Sequence, residues 1–158
     1  MDAADFTFTS RPLMEHFEAG DPHCGTKHVE RSHVALVDDV YAAIGNGDEE
    51  TLLALLAPDA TLTIEGFLDM EGRWEGAANV LAAVRQNFSR VEGQQVGIEQ
   101  VCAQGDQLVV LFRETGRRRP TGEQYDAHVV VWYRFAGATI SSICEIAVTQ
   151  VRGERGPA

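Results

Sequence analysis

Between residues 33 and 44 the apolar positions fall three and four apart. Val37, Val40, Tyr41 and Ile44 share one helical face, and His33, one turn before Val37, extends the stripe. Gly45-Asn46-Gly47 ends this helix with residues that tolerate positive φ. A second, shorter helix follows at once in "NGDEETLLALLAPDATLTI". Asp48 suits its N-cap, Glu49 and Glu50 suit the positive end of its dipole, and Leu52, Leu53, Leu55 and Leu56 supply its buried face. Pro58 disfavours helical geometry at Ala57 and ends it. The period then changes to two: Ala60, Leu62 and Ile64 alternate with Thr61, Thr63 and Glu65, a half-buried strand.

"GFLDMEGRWEG" breaks the pattern and reads as an irregular segment. Helical spacing returns from residue 77 to about 90, with Ala77, Leu81, Val84 and Phe88 on one face. Four strand-like runs complete the chain, at 94–103, 107–116, 125–135 and 139–151, with turns at "QGDQ" and "FAGAT". A helical half followed by an antiparallel sheet half is an α+β layout. Residues 1–28 carry no sustained period and read as an N-terminal extension. Residues 29–151 form the domain, and 152–158 a tail.

The last hairpin divides the candidate chemistry between two faces. With its tip at Ala136-Gly137-Ala138, Phe135 pairs near Thr139, Val129 lies opposite Glu145, and His128 lies opposite Ile146. One face then carries Ala127, Val129, Val131, Tyr133, Ile143 and Glu145. The other carries Asp126, His128, Val130, Trp132, Cys144 and Ile146. A slip of one residue would reverse the cross-strand assignments. On an even offset Arg113 joins Glu145, either as a structural ion pair or as the partner that poises a pocket carboxylate. His128 is the one histidine within the sheet runs, with Asp126 on its side of the strand, and imidazole exchanges protons near neutrality. It is either a general acid–base group or a half-buried residue at a subunit contact.

Composition narrows the classes. The 158 residues carry 13 Lys+Arg against 24 Asp+Glu, a formal net charge of −11. That balance argues against a nucleic-acid groove or an anionic membrane surface, both of which require clustered positive charge. The single basic run, Arg117-Arg118-Arg119, reads as a hairpin tip. No apolar run approaches the ~18 residues of a membrane span, and the N-terminus lacks the basic and apolar regions of a signal peptide. Cys24, Cys102 and Cys144 are scattered, without a CxxC, and read as free thiols in the cytoplasm. "HCGTKHVERSH" gathers His23, Cys24, His28 and His33, with His16 and Asp21 upstream. The spacing matches no closed metal site, so neither metal nor other cofactor is expected. There is no phosphate-binding glycine loop and no nucleophile elbow.

The ordered set "VYAAIGNGDEETLLALLAPDATL", "RWEGAANVLAAVRQNF" and "VVVWYRFAGATISSI" resembles the SnoaL-like branch of the nuclear-transport-factor-2-like (NTF2-like) superfamily, which shares its fold with ketosteroid isomerase. The resemblance covers about residues 32–150. It implies a cone-shaped α+β fold, a curved antiparallel sheet wrapped around three N-terminal helices, an apolar pocket at the wide end, and a homodimer through the sheet. It also implies a small hydrophobic molecule as partner.

Ketosteroid isomerase's oxyanion-stabilising tyrosine falls at Val40, next to Tyr41. Its base aspartate falls near Ile64, beside Glu65, and its second aspartate near Val131. All three positions depart from the pattern, which puts steroid isomerisation in doubt. The chain also lacks the Arg-x-Asp strand pair used by limonene epoxide hydrolase. Trp74 stands where relatives often have an aromatic residue, and Phe67, Leu68 and Met70 make the same loop apolar enough for a lid.

The site expected on these grounds has His128 or Glu145 moving a proton, Tyr41 donating a hydrogen bond and Arg113 tuning the carboxylate. Phe67, Trp74, Val131, Tyr133 and Glu65 would contact the ligand. The corresponding activity is metal-free acid–base chemistry of the isomerase, cyclase or dehydratase type. The alternative is a non-catalytic domain that binds a ligand or a protein partner.

Overall fold

Among the described residues, four helices and seven strands follow one another along the chain. They are β1 (Phe6–Phe8), α1 (Leu13–Ala19), α2 (His28–Asn46), α3 (Glu49–Leu55), β2 (Leu56–Glu65), β3 (Gly72–Glu75), α4 (Ala77–Ser89), β4 (Val91–Gln104), β5 (Gln107–Arg118), β6 (Gln124–Ala136) and β7 (Thr139–Arg152). The molecule is seen as a computed structural model that describes residues 6–8, 12–19, 28–67 and 69–152. The strands form one curved, unclosed sheet in the order β1-β4-β5-β6-β7-β2-β3. β1 runs parallel to β4 and β2 parallel to β7, while the remaining neighbours are antiparallel. Helix α2 packs on β4 and β5, and α4 on β2, β3 and β4, so the core lies between the helices and one face of the sheet.

The opening stretch folds as its residues dictate. Asp48 accepts a hydrogen bond from the Thr51 amide at 3.0 Å, capping α3. The helix ends at Leu55, and Leu56 is already extended at φ −93° and ψ 140°. The break therefore comes before Ala57, earlier than Pro58 alone requires. Leu52 faces the core, whereas Leu53 is 43% exposed, so the helix buries a narrower stripe than its four leucines offered.

Two regions depart from the sequence reading, and in the first, the N-terminal extension, β1 pairs with β4. Within the N-terminal extension, α1 buries Leu13 and Phe17 in the core, and the Leu13 and Met14 amides donate to the Asp38 carboxylate at 2.6 and 3.1 Å. An acidic side chain on α2 thus satisfies the open N-terminus of α1. The second is β3, inside the segment taken as irregular, where Leu62 of β2 pairs with Trp74.

The remaining polar candidates outside the cavity have structural partners. His33 stacks on Phe135 at 4.0 Å between ring centroids, and its Nδ1 lies 3.0 Å from the Gly105 carbonyl oxygen. It therefore fixes α2 to the β4–β5 turn. Arg117, Arg118 and Arg119 meet Glu92, Asp69 and Glu92 respectively. Asp21, His23 and Cys24 lie outside the described residues, as do the side chains of His16 and His28. Cys144 is free, but Cys102 is disulfide-bonded, which corrects the expectation of three free thiols. Among the described residues no helix is long and apolar enough to cross a membrane.

Candidate functional site

The hairpin of β6 and β7 decides which side chains face inward. Its loop is one residue tighter than expected, because Ala136 pairs with Thr139 and Phe135 with Ile140. A bulge then inserts Ser141, so that Arg134 pairs with Ser142, Trp132 with Cys144 and Val131 with Glu145. The Ser141 hydroxyl donates back to the Arg134 carbonyl at 3.2 Å. Two single-residue shifts sum to an even one, so from Val129 to Arg134 the cross-strand partners move by two and Glu145 keeps its face, before a further shift pairs His128 with Thr149. Glu145 stays inward, opposite Val131 on one side and Ile64 of β2 on the other.

Inside the sheet, beneath α2, α3 and α4, lies a cavity of about 130 Å³. Leu62, Ile64, Phe67, Val80, Phe112 and Ile143 are among its apolar walls, and its polar lining is Tyr41, Asn87, Gln94, Glu114, Tyr133 and Glu145. The volume is comparable with the ~150 Å³ that accommodates a benzene ring in an engineered cavity. Tyr41 reaches it from the inner side of α2 and Tyr133 from β6, and their hydroxyl oxygens are 2.9 Å apart. Burial raises both phenols above the usual tyrosine range, and the negative charge of Glu145 adds to the effect on each. Both stay protonated, so one hydroxyl donates to the other and the pair retains one O–H to donate onward.

Glu145 is half-buried, with its carboxyl turned to the cavity rather than to bulk water. It accepts no hydrogen bond among the described residues. Burial first, and the negative charge of Glu114 second, push its pKa from 4.5 to about 7.

Glu114 is 7% exposed and lies on the same face of β5 as Phe112. Its Oε1 accepts from the Tyr125 hydroxyl and from Gln94 Nε2, each at 2.6 Å. Burial raises its pKa while these two donors act in the opposite direction. Tyr125 reaches Glu114 across Gly116, its cross-strand partner. A Cβ at Gly116 would lie 2.9 Å from the Tyr125 hydroxyl, so this strand position needs glycine.

Of the nine expected site residues, Tyr41, Glu145, Phe67 and Tyr133 line the cavity and the other five do not. Arg113 does not meet Glu145. It sits opposite His128 on the outer face, where its Nε donates to Asp126 at 2.8 Å and an Nη completes a bidentate pair. The register of β5 on β6, with Phe112 and not Arg113 opposite Val129, puts Arg113 and Glu145 on opposite sides of the sheet. His128 is also outside, with Nε2 3.3 Å from a Glu99 carboxylate oxygen. Val131 is buried in the core directly across from Glu145. Glu65 is exposed at the end of β2. Trp74 packs against the core from β3, its ring lying over Gly72.

In the loop between β2 and β3, Phe67 and Met70 line the cavity, while Leu68 lies outside the described residues. Arg118 holds the loop from outside through Asp69 at 2.7 Å. Sequence reasoning missed Glu114, Gln94 and Asn87. The signal for Glu114 was available: a lone acid at position 114 continues the inward alternation of Leu108, Val110 and Phe112. Among the described residues no cluster of three or more His, Cys, Asp or Glu is arranged to hold a metal ion.

The family profile for the SnoaL-like domain matches residues 37–143. Among solved structures, an NTF2-like protein from Burkholderia xenovorans LB400 is 27% identical, with a TM-score of 0.67 over 78% of this chain and 92% of that one. A putative SnoaL-like polyketide cyclase from Jannaschia sp. CCS1 is 18% identical, with a TM-score of 0.70 over 78% of this chain and 90% of that one. An LEH-like epoxide hydrolase from M. tuberculosis is 20% identical, with a TM-score of 0.59 over 73% and 82%. These last two likenesses concern the fold. No curated protein matches the chain. The profile takes in the helices, the loop and most of the strands that build the cavity, and the chain belongs to the SnoaL-like domain family.

Proposed function

We propose that the cavity binds a small hydrophobic organic molecule and that Glu145 moves a proton on it, with the Tyr41–Tyr133 pair donating a hydrogen bond to the oxygen that gains charge. The observation that supports this most is the position of Glu145. The family resemblance puts carboxylates near Ile64 and Val131, and this chain has apolar residues at both. Glu145 stands between them on β7, cross-strand from each. The departures from the family pattern thus surround a carboxyl that serves the same small volume from the intervening strand.

The chemistry follows from its surroundings. A carboxyl with a pKa of about 7 is half ionised at neutrality, so it can take a proton from carbon and return it elsewhere without leaving its working range. The tyrosine pair supplies a donor that does not ionise. With Tyr41 donating to Tyr133, the Tyr133 O–H is left for a carbonyl oxygen as it becomes an enolate. Abstraction next to a carbonyl is the step shared by isomerases, by dehydratases that eliminate water β to a carbonyl, and by aldol-type cyclases. The cavity volume corresponds to about one ring at the reacting centre.

The test is proton exchange of cyclohexanone in deuterated buffer, followed by NMR. The wild type should accelerate loss of the α-protons over buffer, and Glu145→Gln should abolish the acceleration. Equal rates for the two proteins would remove Glu145 from the chemistry and favour a binding-only domain.

A second observation bears on assembly. Trp132, Ile146 and Val148 are exposed on or beside the outer face of β6 and β7, at 39%, 38% and 57%. We infer that this face is where two copies of the chain meet. Light scattering at micromolar concentration should give a dimer, and Trp132→Arg with Ile146→Glu should give a monomer.

A further inference from the structure

Glu114 is the second carboxyl of the cavity, and proton transfer by Glu145 leaves it without a task. Its two donors converge on a single oxygen, Oε1, while Oε2 accepts from no group among the described residues. Gln94 extends the imbalance. Its Nε2 is committed to Glu114, and its Oε1 is buried with no partner. Turning the amide over would set its oxygen against the Glu114 carboxyl, so the network itself fixes the orientation. A buried acceptor without a donor is uncommon in a native fold and calls for a ligand or a water.

The rest of the lining does not correct this. Among the described residues it contains no Lys, Arg or His. Arg118 is felt electrostatically at Tyr125, but it is engaged with Asp69 and does not line the cavity. Two carboxyls and an amide oxygen therefore face one tyrosine pair and the Asn87 amide. A carboxylate or phosphate ligand would bring a third negative group into a poorly solvated space. At the Glu114–Gln94 corner, away from the tyrosine pair, a ketone or ether oxygen would add an acceptor where donors are wanting. An alkylammonium supplies up to three N–H donors together with the missing charge. The aromatic rings of Phe112 and Phe88 in the same lining are compatible with a cation and with its hydrocarbon body.

We propose that the ligand of this cavity is a small hydrophobic amine, held as its ammonium ion at the corner formed by Glu114 and Gln94, with Glu145 and the tyrosines acting on the remainder of the molecule. This names the ligand class of the site described above and rests on that cavity being a ligand site. Glu114 is then the specificity-determining residue, distinct from the proton-transfer group.

Three probes of similar size separate the possibilities: benzylamine, benzyl alcohol and benzoate, titrated calorimetrically at pH 7.5. The wild type should bind benzylamine at least tenfold more tightly than benzyl alcohol, with no heat from benzoate. Glu114→Gln keeps an oxygen for Tyr125 and Gln94 while removing the charge. It should weaken benzylamine at least tenfold and leave benzyl alcohol within twofold. Equal affinities of the wild type for amine and alcohol, tighter binding of benzoate, or an undiminished amine preference in Glu114→Gln would each overturn the proposal. Binding of the alcohol with no gain for the amine would refute the ligand class and leave the cavity reading intact. Failure of all three probes to bind would refute both.

Discussion

Arg113 and Glu114 are neighbours on one strand and belong to different physical worlds. On the outer face Arg113 meets Asp126, and hydrogen bonding to the guanidinium holds that carboxyl below its usual range. On the inner face Glu114 and Glu145 face hydrocarbon and each other, and burial raises both. The same sheet thus displays acids whose pKa values move in opposite directions, separated by its own thickness. The outer groups have found partners of opposite charge in water, where such pairs contribute little. The inner acids have none among the described residues, and this is the condition that keeps a carboxyl reactive at neutrality.

The largest expected contrast is between Glu145 and His128. Glu145→Gln should lower cyclohexanone exchange by about 10²–10⁴-fold, the usual contribution of a positioned acid–base group. His128→Ala should change it by less than twofold, because its imidazole is outside, beside Glu99. A large loss in His128→Ala would show that the two faces are not chemically separate.

Next come the tyrosines. Tyr133→Phe removes the donor aimed at the developing oxyanion and should cost about 10²-fold. Tyr41→Phe removes only the group that orients it and should cost about tenfold. The reverse order would assign the terminal donor to Tyr41.

Stability gives a smaller but independent contrast, with a definite sign. Folded Glu145 retains a proton that the unfolded chain releases above 4.5, so this group's contribution falls as pH rises from about 4.5 to about 7 and is level above that. Glu145→Gln cannot lose that proton. In urea titrations it should gain roughly 2–3 kcal/mol on the wild type between pH 4 and pH 8. A parallel pH dependence in the two proteins would mean that the carboxyl is solvated after all. Arg113→Ala is expected to have the least effect: a small, salt-sensitive change in Tm and an unaltered exchange rate.

How much of this was legible from residues depended on parity more than on position. The α+β order, the cap at Asp48 and the division of β6 and β7 into two faces all follow from local spacing. The exact partners did not, because a tighter loop and the Ser141 bulge are backbone events with no distinctive side chain to announce them. They cancelled in parity, so Glu145 remained correctly inward although its expected partner Val129 was replaced by Val131. The pairing of Arg113 with Glu145 failed because it assumed an even offset between β5 and β6, whereas Phe112, not Arg113, lies opposite Val129. Glu114 was overlooked although the alternation of β5 places it inside. Among the described side chains of α1, Leu13 and Phe17 are the buried anchors, too few to set up a period, and the helix depends on Asp38 some 25 residues away in sequence.

The account stands or falls on the ionisation of one side chain. With the glutamate side-chain carboxyls labelled with ¹³C, their chemical shifts can be followed from pH 3 to pH 9. The account predicts one resonance with a midpoint near 7 that disappears in Glu145→Gln, while Glu49, capped by Arg85 on the surface, titrates below 4.5. If the resonance lost in Glu145→Gln instead titrates between 4 and 5, the inner face is no different from the outer one, and the proposed proton transfer has no base.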